Sequence, residues 1–151
     1  MSQFTRLLEE FSFITGIAFQ AAPDDSCSIR INNCFSIQLK TDQGQEKLLI
    51  GCMICEVPPG KFRENVLKEA LKENALPPPN PGIFAYIERN NHLFLYEFLF
   101  FQYLNGESLT EYLASFIEKC TAWYEAIQSG ATSPHPAEVI VPNPSPLGIK
   151  P

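Results

Sequence analysis

The residues that could do chemistry are few and scattered. Histidine is the side chain that most readily moves protons near neutral pH, and the chain has two. His92 falls in the polar stretch Arg89-Asn90-Asn91-His92, and His135 in a Pro-rich C-terminal stretch. Neither has a nucleophile at a recognisable spacing. The aspartates Asp24, Asp25 and Asp42 all fall in loop-forming segments, and there is no GxSxG, P-loop, GxGxxG or HExxH. Cys52-Met-Ile-Cys55 has the spacing of a redox pair. It lies in a strand-like run, where residues three apart are expected on opposite faces, and no helix N-terminus is close enough to stabilise a thiolate. It also lacks the second Cys/His pair of a zinc site. Glu97 interrupts an apolar run, as a buried acid would. Buried Glu is rare without a partner, so an edge or rim carboxylate is the expectation. No catalytic, cofactor-binding or metal-binding constellation emerges, and no cofactor or metal is expected.

The totals narrow the class further. A chain of 151 residues, 45% apolar and 19% charged, fits one globular domain. A net charge of −6 argues against a nucleic-acid partner, because phosphate binding needs clustered Lys and Arg. The odd number of cysteines, 5, argues against a disulfide framework. Cys27, Cys34, Cys52 and Cys120 lie in or beside apolar patterns and read as small core residues. The N-terminal stretch carries Arg6, Glu9 and Glu10 inside its apolar pattern, unlike a signal peptide. The most apolar run, Leu93–Leu104, is broken by Glu97 and Gln102 and is too short for a membrane-spanning helix. A cytoplasmic protein without membrane insertion is expected.

Apolar periodicity then orders the elements. Phe4, Leu7, Leu8, Phe11 and Ile14 recur at helical spacing over residues 3–15, between a capping Ser2 and a terminating Gly16. Phe13 and Ile17 widen that stripe beyond one packing contact, which leaves one edge of the helix for a partner. Two half-wet strands follow, with Cys27, Ile29, Ile31 and then Phe35, Ile37, Leu39 inward, joined at Asn32-Asn33. Lys47–Val57 is apolar on both faces and belongs in the middle of a sheet. After Pro58-Pro59-Gly60 comes a second helix over Lys61–Leu76, with Phe62, Val66, Leu67, Ala70 and Leu71 on one stripe. The prolines of 77–81 form a stiff spacer. Gly82–Phe101 is a hairpin. A turn at Asn90-Asn91 pairs Ile87 with Phe94, Ala85 with Tyr96 and Ile83 with Phe98, while Phe84, Tyr86, Leu93 and Leu95 share the other face. Both faces are apolar, so both require cover. The last helix runs to about Ser129, capped at Asn105 or Ser108, on a stripe from Leu109 to Ile127. Residues 131–151 form a Pro-rich tail without periodicity, in which Val139-Ile140-Val141 could pair as an extended segment.

These elements describe an α+β fold: a five-stranded antiparallel sheet in the order α-β-β-β-α-β-β-α, with the first and third helices on one face. Residues 1–130 form the domain and 131–151 the tail. Such a chain has no further long helix to cover the second helix and the outer hairpin face. A second polypeptide is the simplest cover, and a bare fourth or fifth strand at the sheet edge would be a template for strand addition. The alternative is a small α+β ligand-binding protein or an enzyme without a recognisable motif.

The pieces Leu67-Lys-Glu-Ala-Leu-Lys-Glu-Asn74, Gly82-Ile-Phe-Ala-Tyr-Ile87, Asn91-His-Leu-Phe-Leu-Tyr-Glu-Phe-Leu99 and Leu104-Asn-Gly-Glu-Ser-Leu-Thr-Glu-Tyr-Leu-Ala-Ser-Phe116, with Trp123 near the helix end, follow in this element order in an acidic chain. In this the chain resembles the class I type III secretion chaperones of the CesT/SycE family, over about residues 4–129. Leu104–Phe116 looks most like the chlamydial members, among them those serving the gatekeeper protein that plugs the secretion channel. The resemblance implies a non-enzymatic dimer that binds the N-terminal segment of a secreted effector or gatekeeper protein, keeps it extended and presents it for export. The dimer would be a homodimer or a heterodimer with a related chaperone. By the same resemblance the second helix lies at the dimer interface, with Val66, Leu67, Ala70, Phe84 and Tyr86. Phe4, Leu8, Phe11, Ile29, Ile31, Phe35 and Ile37 would line the client-binding grooves.

Overall fold

The computed structural model describes residues 2–135. Most of the Pro-rich tail, including Val139-Ile140-Val141, lies outside the described residues. The elements are α1 (Gln3–Thr15), β1 (Ser26–Ile31), β2 (Phe35–Thr41), β3 (Lys47–Glu56), α2 (Lys61–Asn74), β4 (Ile83–Ile87), β5 (His92–Phe100) and α3 (Gly106–Gln128). One antiparallel five-stranded sheet runs in the spatial order β1-β2-β3-β5-β4. The α-β-β-β-α-β-β-α order and the central place of β3 are as the periodicity requires.

Local chemistry sets the limits of the helices. Ser2 Oγ accepts the Thr5 N–H at 3.0 Å, and Gly16, at φ +73°, closes α1 by donating its N–H to the Ser12 carbonyl at 2.9 Å. At α3 the cap is Asn105, whose Oδ1 accepts the Ser108 N–H at 2.8 Å while Ser108 Oγ accepts the Asn105 N–H at 2.9 Å. α1 crosses the start of α3 closely. A Cβ built on Gly106 would stand 2.6 Å from Glu10 Cβ and 2.8 Å from its backbone carbon.

α1 and α3 seal one face of the sheet. Phe4, Leu7, Leu8 and Phe11 of α1, and Leu109, Leu113, Phe116, Cys120, Trp123 and Ile127 of α3, are buried against Ile37, Leu39, Leu48, Ile50, Cys52, Leu93 and Leu95. Burial of one such side chain stabilises by roughly 1.5–3 kcal/mol, so this layer dominates the fold. α2 packs at the β4 side through Val66 and Ala70, near the rings of Phe84 and Trp123, which meet at a tilt of 53° with centroids 4.5 Å apart.

Three expectations from sequence need correction. The β4–β5 hairpin pairs Ile87 with His92, Ala85 with Phe94 and Ile83 with Tyr96, slipped by two residues. The loop is not a two-residue Asn90-Asn91 turn. It is a 3-10 turn over Glu88–Asn90 closed by Asn91 at φ +56°. An even slip preserves the faces, so Phe84, Tyr86, Leu93 and Leu95 still share one. Next, Cys34 is exposed, because Ile31 pairs with Phe35 and leaves Asn32-Asn33-Cys34 as the loop. Finally, a bulge in β3 pairs Met53 with Phe94 and then Cys55 with Leu93. The extra residue, Ile54, rephases the strand. Cys55 therefore shares the helix-covered face with Cys52 instead of opposing it, and both thiols are buried.

Candidate interaction surfaces

The polar groups that drew attention in the sequence are committed to structure. Glu97 sits on β5, between β3 and β4, and not at an edge. Its Oε1 accepts the Gly82 N–H at 2.8 Å and the Tyr112 hydroxyl. Burial first, and then the hydrogen bond and charge of Glu97, push the Tyr112 phenol well above its ordinary value. It therefore stays neutral and donating. Burial, with Cys52 beside it, raises the Cys55 thiol to about 11. The Cys120 thiol is raised by its contact with Cys52 and by burial. Protonated thiols are poor nucleophiles and poor metal ligands. His92 Nδ1 lies 2.8 Å from the Asn90 carbonyl oxygen, and His135 Nε2 lies 2.8 Å from Glu73 Oε2. Among the described residues no group of three or more His, Cys, Asp or Glu is placed to hold a metal ion, and no helix is long and apolar enough to cross a membrane.

What stands open is apolar surface, in two places. The first is the far edge of α1. Phe13 is 90% exposed, with Ile14 and Ile17 beside it. The second is the outer face of the sheet, opposite the helices. There Phe94, Tyr96 and Phe98 form a row of rings with successive centroids 5.7 and 6.3 Å apart. Ile83, Phe98 and Phe100 are each about half exposed. The β1–β2 part of the same face is polar: Arg30 donates to Ser36 Oγ and to the Asn33 carbonyl, and Gln38 donates to Ser28 Oγ. Between the two halves lies an open groove of about 480 Å³ reaching from Arg30 and Lys40 to Leu49, Met53 and Phe94. On α2, Leu71 is 68% exposed and Phe62 is partly so. The exposed pairs of Glu64 with Lys61 and Lys68, each at 3.3 Å, mark a solvated face worth little energy.

The sheet edges differ. β4 is an edge strand and β5 is not. The β4 edge is also engaged, since Asn74 Oδ1 accepts the Phe84 N–H at 2.7 Å and Asn74 Nδ2 donates to the Phe84 carbonyl at 3.1 Å. The opposite edge is β1.

The residues singled out in sequence lie mostly beneath these surfaces. Phe4, Leu8, Phe11, Phe35 and Ile37 are buried, while Ile29 and Ile31 are half-buried at the β1 edge. Val66, Ala70 and Phe84 are buried in the chain's own core. Leu67 and Tyr86 are half-buried, and the Tyr86 hydroxyl is tied to Arg63 and Asn91. Ile14, Ile83, Phe98, Phe100 and Tyr103 were not singled out as contacts and are exposed. The signals were present: a helix stripe too wide for one contact, and a hairpin apolar on both faces.

The model of the Tir chaperone protein (CesT) family matches residues 6–124. The chain belongs to that family. No curated protein matches the sequence. Among solved structures, the CesT-family fold seen here is shared with a chain of the HopA1–SchA chaperone–effector complex, at 21% identity and a TM-score of 0.67, over 82% of this chain and 94% of that one. It is shared with a chain of the ExsC–ExsE complex at 18% identity and 0.63, over 83% and 96%. A chain of the structure of the Yersinia pestis type III secretion chaperone SycH with a stable fragment of YscM2 matches at 18% and 0.60, over 78% and 97%. At these identities the likeness carries the fold. The CesT family is one of non-enzymatic secretion chaperones.

Proposed function

We propose that this chain is a type III secretion chaperone that works as a dimer, holding the N-terminal segment of a secreted protein extended in the cytoplasm and presenting it for export. The observation that supports the reading most is the pair of exposed apolar surfaces on a CesT-family subunit whose core is already complete. Exposed apolar area of this kind marks contact with other polypeptides. On this reading the second subunit, identical or a related chaperone, covers Ile83, Phe98 and Phe100 on the outer face, with Val66, Leu67, Ala70, Phe84 and Tyr86 supporting that region from within. The client takes the other surface. Phe13, Ile14 and Ile17 meet its apolar side chains over a floor of Phe4, Leu8, Phe11, Phe35 and Ile37. An extended client segment adds along β1 beside Ile29 and Ile31, because Asn74 occupies the β4 edge. Strand addition supplies main-chain hydrogen bonds whatever the client sequence, and pockets supply the selection. Two such surfaces in one dimer raise the effective concentration of the second contact.

Co-expression with the neighbouring genes, followed by mass spectrometry of what stays bound, tests the reading. It predicts that one secreted protein is retained through its N-terminal segment, and a gatekeeper protein is the first to try. Retention of no secreted protein would overturn it.

A further inference from the structure

One exposed surface has a charge pattern as well as an apolar floor. A shallow, open groove of about 500 Å³ runs between the second half of α1 and the first turn of α3, lined by Glu9, Glu10, Phe13, Ile14, Asn105 and Glu107. No Lys or Arg lines it. Glu10 is already engaged, its Oε1 accepting the Gly106 N–H at 2.9 Å. Glu9 and Glu107 enter no ion pair or side-chain hydrogen bond among the described residues, and neither does Arg6, the basic residue of α1. The acids of α2 contrast with them: Glu64, Glu69 and Glu73 each have a Lys within 4.0 Å.

We propose that this groove selects a client segment in which an apolar side chain is flanked by Lys or Arg, the apolar group seating on Phe13 and Ile14 and the cation meeting Glu9 and Glu107. The proposal rests on the chaperone reading and adds the chemistry of the partner. A bare apolar floor binds greasy segments with little discrimination. Two uncompensated carboxylates at its rim favour those carrying a cation and repel acidic ones. Lys and Arg suit the geometry because their long apolar stems lie along a ring such as Phe13 while the charged head reaches outward, and the guanidinium also stacks on the ring face. The same rim disfavours phosphate-bearing partners, whether nucleic acid or anionic lipid.

The test uses the full-length protein and two labelled synthetic peptides of equal length and identical apolar residues, one with Lys and Arg flanks and the other with Glu and Asp. Fluorescence anisotropy should show preferential binding of the basic peptide. Because these carboxylates are exposed, E9Q/E107Q should leave the fold intact, with only a small fall in melting temperature from the loss of the Glu107 charge in the first turn of α3. It should weaken the basic peptide about three- to tenfold and flatten its salt dependence. F13S should weaken it too. Equal binding of both peptides, binding of neither, or indifference of the basic peptide to E9Q/E107Q would overturn the proposal. A secreted client captured by co-expression and retained in full by both variants would also remove this groove while leaving the chaperone reading intact. Capture of no client would remove that reading itself.

Discussion

Glu97 and Gly82 show how single residues hold the hairpin in place. Gly82 sits at φ +81°, and a Cβ added there would lie 2.7 Å from Leu95 Cγ. Its N–H must also point at the Glu97 carboxylate. Gly82→Ala is expected to cost about 2 kcal/mol in urea unfolding, while Gly44→Ala, with nothing within 4 Å of its Cβ, should change stability by less than about 0.5 kcal/mol. A second prediction concerns alkaline pH. The Cys55 thiol is raised from 9.0 to about 11 in the fold, so the unfolded chain loses its proton first. The stability from this group is whole below pH 9 and is lost as pH rises through 11, on the order of 2 kcal/mol. The Tyr112 phenol, raised from 10.0, adds a loss of the same sign above pH 10. Cys55→Ala should flatten the fall between pH 9 and 11 in pH-dependent unfolding. Sequence indicated that these cysteines are inert but misplaced two of them. Cys34 turned on the length of a hairpin loop, and Cys55 on a bulge that period-2 alternation does not reveal.

At the scale of elements, α1, β3 and α3 were legible because their apolar patterns are long and their caps are local chemistry. The β4–β5 register was not, since Asn91 supports a 3-10 turn as readily as a two-residue one and an even slip leaves the facial pattern unchanged. The role of Asn74 was also hidden. It depends on α2 ending opposite the start of β4, a tertiary placement without a local signature. Asn74→Ala should leave the Phe84 N–H and carbonyl without those partners, lowering stability by about 1–3 kcal/mol and speeding amide exchange at Phe84 ahead of Leu93 and Leu95. Unchanged exchange at Phe84 would mean that the β4 edge does not depend on this side chain. The surface of α1 behaves differently from its buried stripe. Phe13→Gln should shift stability by less than about 0.5 kcal/mol yet reduce client retention, which co-purification measures.

The molecule as a whole has its sheet sealed by α1 and α3 on one side and left apolar over β5 and β4 on the other. The candidate site was legible as a surplus of apolar surface and less so residue by residue. Helical and strand periodicity identify which side chains face the main core, and Phe4, Leu8, Val66 and Phe84 satisfy it. Of the side chains left over, Phe13 and Ile17 show in sequence as a helix stripe too wide for one contact, whereas Ile83 and Phe98 stand out only once the core is closed. Light scattering on the purified chain tests most directly whether that surplus is an interface. The account predicts a stable species of twice the 17.0 kDa chain mass, or a one-to-one pair with a related chaperone, dissociated by Phe98→Glu without loss of fold. A well-behaved monomer of 17.0 kDa, alone and with candidate partners, would contradict it.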